Sequence, residues 1–483
     1  MGFPLPPELI SIVLKYLTDD EDIHAAPYAT VNRCWQTIIE RRTFSDLQIG
    51  TAKRLAEFNQ MSWNRRRCYV RHIYFVVELE SYDGEARTRY ENEEEIQRNN
   101  KIFTTSIQSL FNTLSEWPKT ESRLALMITA QSPGDIGAQT TETWDERNYG
   151  EPDYLGDDFW DHRSDRSYLQ FDEVSIGTKC PAVLVITKLG IRGGGIQRQV
   201  EPASSSLIVS KLPQLDELHL VLNDDCKWDP EKRKRQRIDF ADSIQLWPSS
   251  VRHLHFAFYY SAPSDENYPP AVLTLEGEAD LLSSRLREFS QQLTEMTGTE
   301  CVLGKEIFWP ITVQNDLQLP FWPHLIGLGL GCTPVTPCGK WMFGMRDSNG
   351  RDDEDAQDDE DDEYGEDDEG DEDMDNTHRA WVAPEDRRLT RSRTKIIYEF
   401  FNQYYISAAK AALQMPKLKG MSLGMTDSRA PHEFLYRVQN GVARVTWYSK
   451  DDLVEPFEPN DEVLEAWEKV AWEHTGCKLE VEC

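Results

Sequence analysis

Residues 215–220 read LDELHL, and the fold turns on the spacing of their apolar side chains, Leu215-x-x-Leu218-x-Leu220. The same phrase returns as Val251-x-x-Leu254-x-Phe256, Leu325-x-x-Leu328-x-Leu330 and Leu418-x-x-Met421-x-Leu423. Weaker copies are Ile186-x-x-Leu189-x-Ile191 and Val70-x-x-Ile73-x-Phe75. Each phrase ends in strict alternation, as a strand with one buried face does. Prolines 213, 248, 323 and 416 stand shortly before the four stronger copies. Between copies, residues 239–246, 280–293 and 395–415 repeat apolar side chains every three or four positions, which predicts helices. Strand, helix, strand in recurring order implies parallel strands side by side with helices behind them.

This pattern loosely resembles the leucine-rich-repeat family. The spacing between copies varies, and the Asn that follows the strand in that family is missing at the matching places. Independent strand-helix units of an ordinary α/β domain give the same signals. The expected fold class is mixed α/β, an irregular leucine-rich-repeat-like solenoid closed by a C-terminal capping unit. In that cap, residues 442–448 alternate like a strand, 461–474 predict a helix stopped by a left-handed Gly476, and 479–481 predict a last strand. Trp467, Val470 and Ala471, with Leu464, are expected to face inward.

The N-terminal stretch 5–17 reads LPPELISIVLKYL. Leu9, Ile12, Val13, Tyr16 and Leu17 make one apolar helical face, with Pro6 and Pro7 suited to the first turn and Glu8 to the positive end of the dipole. Val31, Cys34, Trp35, Ile38 and Ile39 form a second apolar stretch, after which Phe44, Leu47 and Ile49 alternate like a strand. Fewer than fifty residues bury too little surface to stand alone, so this bundle needs a neighbour or a partner. The leading L-P-x-E-L, its I-V-L-x-x-L continuation and the later Val31-Asn32-Arg33-Cys34-Trp35 resemble the F-box family in order and spacing, over about a tenth of the chain.

That resemblance implies a three-helix module that binds a Skp-type adaptor and, through it, a cullin. Carried over by position, it implies that Leu5, Pro6, Leu9, Ile12, Leu14, Leu17, Val31, Cys34 and Trp35 form the adaptor-facing or supporting apolar set. The function it implies is substrate recognition in an SCF-type E3 ubiquitin ligase, with an unknown protein substrate held by the repeat body. The alternative is an interaction scaffold that carries an F-box without assembling a ligase. An enzyme with an unfamiliar site comes third.

The formal charge of −32 is concentrated between Asp347 and Asp375, where 19 acidic residues face a single arginine, a net of −18 that leaves −14 for the rest. A moderately acidic body disfavours nucleic acid as a partner. Nine cysteines without a C-x-x-C pair suggest reduced thiols and a cytoplasmic or nuclear setting. No apolar run approaches the ~18 residues of a membrane span, so neither membrane nor secretion is expected. No cofactor, metal or catalytic residue is nominated: CTPVTPCGK at 332–340 lacks the spacing of a phosphate loop, and His253 and His255 share a strand face without further ligands. The basic cluster 232–237, KRKRQR, is either an import signal or a solvated helix face.

The expected layout is an F-box over 1–50, first strand-helix units over 51–130, a polar loop over 131–167 and a repeat body over 168–345. An acidic insertion follows over 346–380, then a last repeat over 381–430 and the cap over 431–483.

Overall fold

The computed structural model describes residues 9, 12–13, 26–61, 63, 65–87, 89–118, 123–135, 162–177, 179–193, 197–224, 227, 229–311, 319–345, 393–425, 432–449 and 456–482. The acidic insertion, the middle of the polar loop, and Leu5, Pro6, Leu14 and Leu17 lie outside these residues. The chain divides into two compact units, 1–222 with 246–251 and 223–245 with 252–483.

The first unit carries α1 (Arg33–Thr43), α2 (Ala52–Gln60), α3 (Glu93–Ser115) and α4 (Pro202–Val209). Its strands are β1 (Asp46–Ile49), β2 (His72–Glu78), β3 (Leu124–Gln131), β4 (Ile186–Arg192) and β5 (Glu217–Asp224). All five are parallel, and each pairs with the strand before it in sequence. Local chemistry sets the helix starts. Asn32 accepts from the Cys34 and Trp35 N–H groups, and Asn92 exchanges hydrogen bonds with Glu95 in a capping box. Glu40 on α1 is buried between Arg65 and Arg66, which fastens the N-terminal helix to this unit.

The second unit holds α5 (Pro230–Ser243), α6 (Leu281–Ser290), α7 (Tyr398–Ala412) and α8 (Asp461–Thr475). Strands β6 (His253–Tyr260), β7 (Glu295–Cys301), β8 (Gly327–Cys332) and β11 (Gly420–Met425) are parallel neighbours in that order. Between β8 and β11 in sequence, β9 (Phe343–Met345) and β10 (Arg393–Ile396) form a separate antiparallel ribbon. Beyond β11 the sheet turns antiparallel through β12 (His432–Gln439) and β13 (Val442–Ser449), then ends on β14 (Glu480–Glu482), parallel to β13. Asn440 and Gly441 join β12 to β13 with φ of 53° and 79°, the double positive φ that a tight hairpin requires.

Strands buried on both faces read as continuous apolar runs, and in a doubly wound sheet they must be, because helices cover both sides. Here burial alternates. Ile73, Phe75 and Val77 are buried while their neighbours on β2 are half-exposed, and β5, β8 and β11 repeat the pattern. In each unit one sheet face packs into the core and the other stays open. On the packed face, α3 supplies Phe103, Ile107, Leu110, Phe111 and Leu114, and α7 supplies Phe401, Tyr404, Tyr405 and Ala408, all buried.

Two readings of the cap and the basic cluster are corrected. Trp467, Val470 and Ala471 face inward, but Leu464 is only half-buried and Val463 takes its place. The basic cluster belongs to α5, whose start at Pro230 precedes the expected helix by a full nine residues of chain, 230 against 239. Arg233 and Arg237 are buried there in ion pairs with Asp224 and Asp280, so the cluster is not merely a solvated face.

His432 offers a pH test of the second core. Its Nε2 lies 2.6 Å from the Tyr405 hydroxyl, its Nδ1 has no partner among the described residues, and burial pushes its pKa from 6.5 down to about 4. The unfolded chain therefore takes up this proton first: the contribution is complete above pH 6.5 and is lost as pH falls toward 4. Between pH 7 and pH 5 the wild type should lose about 2 kcal/mol more stability than His432→Leu in urea titrations. Equal losses would show that His432 is not held neutral.

Candidate functional site

The open sheet faces are made of rows set by strand register. In the first unit one row runs Asp46, His72, Ala125, Lys188, Glu217, and the next runs Gln48, Tyr74, Met127, Gly190, His219. The first row is charged and internally paired. His72 meets Asp46 at 2.6 Å, and Glu217 meets Lys188 at 3.3 Å and His219 at 2.6 Å. The His219 hydrogen bond, with Lys188 assisting, pulls the Glu217 carboxyl down to about 2. A Cβ at Gly190 in the second row would fall 2.4 Å from the Met127 methyl, so a side chain there would have to displace the flexible end of Met127.

The second unit shows the reverse. Its rows run His253, Glu295, Gly327, Gly420, Arg437 and His255, Thr297, Gly329, Ser422, Leu435, and a third includes Gly331, Gly424, Glu433, Tyr448. Adjacent strands β8 and β11 thus present a floor of bare backbone, broken only by Ser422. Along it lie two hollows of about 440 and 260 Å³. At Gly327, Gly420 and Gly424 a Cβ would meet its first neighbour at 3.8–3.9 Å, ordinary contact, and none of the three has positive φ. The fold does not demand glycine there. Polar walls flank the floor: His255 bonds Thr297 at 2.6 Å on one side, and Ser422 donates to Glu433 at 2.7 Å toward the other. His253 and His255 both stand on this open face.

Clefts also open where strands end. In the first unit about 790 Å³ lies beyond β2, lined by Tyr82, Arg89, Glu95 and Arg163 among others. Arg89 donates twice to Glu95 at 2.8 Å and Arg163 lies 2.7 Å from it, so hydrogen bonds from Arg89 hold the Glu95 carboxyl far below its usual range despite burial. Glu91 accepts from Ser167 at 2.5 Å and pairs with Arg198. These charges are matched within the fold and read as a structural clamp. In the second unit about 550 Å³ opens beyond the carboxyl ends of β6, β7 and β8, lined by apolar groups and by Glu306.

Of the N-terminal apolar set, Leu9 and Ile12 are helical and 47% and 51% exposed, Val13 beside them is 39% exposed, and Val31 is 59% exposed. Cys34 and Trp35 instead pack around the buried Ile39, in a supporting position. Register explains what the sequence did not bring together: the open rows join residues far apart in the chain. The one sequence signal was the glycine alternation at 327, 329 and 331, shared in phase by 420 and 424. Glu306 carries no motif. No helix among the described residues is long and apolar enough to cross a membrane. No curated protein matches the chain. Residues 392–483, which include α7, the antiparallel strands and α8, are similar to a family of unknown function (DUF6546).

Proposed function

We propose that the protein is a substrate-recognition subunit of an SCF-type ubiquitin ligase: the N-terminal helices hold a Skp-type adaptor, and the open faces of an irregular solenoid body hold a protein substrate. One observation carries the reading. Leu9, Ile12, Val13 and Val31 are large apolar side chains exposed in a small helical module whose sequence resembles an F-box. Large exposed apolar groups in so small a module favour a partner that covers them. The one-sided sheets supply what such a subunit needs next, a rigid surface of neighbouring strands that is not consumed by its own helices. Catalysis belongs to the partners, and the receptor acts by raising the local concentration of substrate near the conjugating enzyme.

Purified Skp-type adaptor at micromolar concentration should bind the full chain. Leu9→Asp with Ile12→Asp should weaken that binding about a hundredfold, since buried unpaired charge is not offset by a small apolar interface. Both positions are exposed, so the fold should persist. Failure of the adaptor to bind the wild type, or equal binding by the double variant, removes the ligase reading.

A further inference from the structure

We infer that the second unit's cleft beyond β6, β7 and β8 is a pocket for a basic side chain, Lys or Arg, of a protein segment. Ligands of open parallel sheets gather at the carboxyl ends of the strands, and this cleft is built from the segments that follow three neighbouring strands together with the start of α7.

Its walls suit an aliphatic stem. Leu275 and Ile311 stand at the surface, 62% and 44% exposed, and Trp341, Phe400 and Tyr404 supply aromatic surface. A long basic side chain buries its methylenes against such walls and keeps its charge for a polar end. Among the described residues, five carboxylates but only two lysines line the cleft. The lysines are engaged: Lys340 pairs with Glu276, and Lys305 donates to Gln403 at 2.8 Å. Asp280 is engaged as well, by the buried Arg237.

Glu306 is different. It is 6% exposed, yet among the described residues no ion pair reaches its carboxylate, which accepts only from its own main-chain N–H. Nearby Arg287 donates at 2.5 Å to the Glu306 main-chain carbonyl instead. One carboxylate oxygen lies 2.0 Å from where a Cβ on Gly304 would stand, and both residues line the cleft, so glycine at 304 makes room for the carboxylate. Burial pushes this carboxyl up from its ordinary range, with the nearby Asp280 charge adding to the rise and Lys305 and Arg287 offsetting it only in part. A buried acid in an aromatic-walled cleft with a net negative lining is matched in shape and charge by a guanidinium or ammonium on an apolar stem.

The inference rests on the substrate-receptor reading only for what carries the side chain. The test uses the full chain and a short fluorescein-labelled peptide with a central Leu-Arg-Leu, followed by anisotropy. A second peptide replaces Arg with citrulline, which keeps the shape and removes the charge. The arginine peptide should bind at least about tenfold more tightly. Glu306→Gln should erase that ratio. Leu275→Arg, at an exposed position that leaves the core intact, should weaken arginine-peptide binding by placing its own cation in the mouth. Deleting residues 352–375 should leave the arginine-to-citrulline ratio unchanged. Equal binding of the two peptides, no binding of either, a ratio that survives Glu306→Gln, or one that vanishes with the acidic tract overturns the inference. Adaptor binding is measured on the same preparation, so a failure here with the adaptor retained leaves the ligase reading standing.

Discussion

Replacing Asp280 with alanine should cost the second unit about 3–5 kcal/mol in urea titration, because it strands a buried guanidinium. Arg237 is 3% exposed; its Nε donates to Asp280 Oδ1 at 3.1 Å and its Nη2 to Oδ2 at 2.9 Å, while Nη1 lacks a partner among the described residues. Among the described residues the only other acceptor it reaches is the Val302 carbonyl, at 2.7 Å. Asp280 also caps α6, accepting from the Ser283 N–H at 2.9 Å and the Ser283 hydroxyl at 2.5 Å. Alanine therefore removes a counter-ion and a cap together, the cap alone being worth about 1 kcal/mol.

The charge can be separated from the cap. Asp280→Asn combined with Arg237→Met keeps an N-cap acceptor and buries no charge, so it should recover to within about 1–2 kcal/mol of the wild type. A loss below about 1 kcal/mol for Asp280→Ala would mean that water reaches Arg237. The same geometry bears on transport. Two of the five cations in the KRKRQR cluster are held inside the fold, so an import receptor would find only Lys232, Lys234 and Arg235 on folded protein.

Much of the architecture was legible because one-sided strands leave a period in the sequence. All six L-x-x-L-x-L phrases fall on strands: β2, β4, β5, β6, β8 and β11. What escaped lacked that phrase or disguised it. β3, LALMITAQ, alternates and buries Leu124, Leu126 and Ile128 but has no leading apolar residue at the required offset. β7, EMTGTEC, has a mostly polar sequence, and its register shifts between Gly298 and Cys301 around Glu300, whose φ is +55°. The Asn440-Gly441 pair is a hairpin signal in its own right and places β12 before it, inside the expected cap. α5 was cut short because burial periodicity there is carried by arginine stems, which a hydrophobic pattern does not count.

The candidate sites were less legible, for a physical reason. A register row exists only after strands pair, and the glycine floor draws on β8 and β11, which are separated in sequence by β9, β10 and α7. Glu306 sits in GKEIFW, a context indistinguishable from a surface turn until Arg287 and Gly304 are brought beside it. The N-terminal apolar stretch is the opposite case: its pattern is local, and Leu9, Ile12 and Val13 are helical as the spacing predicts.

The segment that matches the family of unknown function should depend on a single tryptophan. Trp467 is fully buried; its ring lies 4.7 Å from that of Phe434 and 5.1 Å from that of Tyr436. It joins α8 to the antiparallel strands β12 and β13, which continue the sheet past β11. Trp467→Ala should therefore cost about 3–5 kcal/mol, the usual toll of a large core cavity. Hydrogen exchange should show the loss in β12, β13 and α8, and α3 of the first unit should keep its protection. Trp467→Phe is the sharper comparison. The indole Nε1 is buried without a partner among the described residues, so phenylalanine gives up some packing but also removes an unsatisfied donor. Its cost should stay below about 1.5 kcal/mol. If phenylalanine were as damaging as alanine, the indole nitrogen would have to be making a bond in solution, and ring packing alone would not hold α8 in place. If alanine were harmless, α8 would not be closing the sheet at all, and the apolar faces of β12 and β13 would need some other cover.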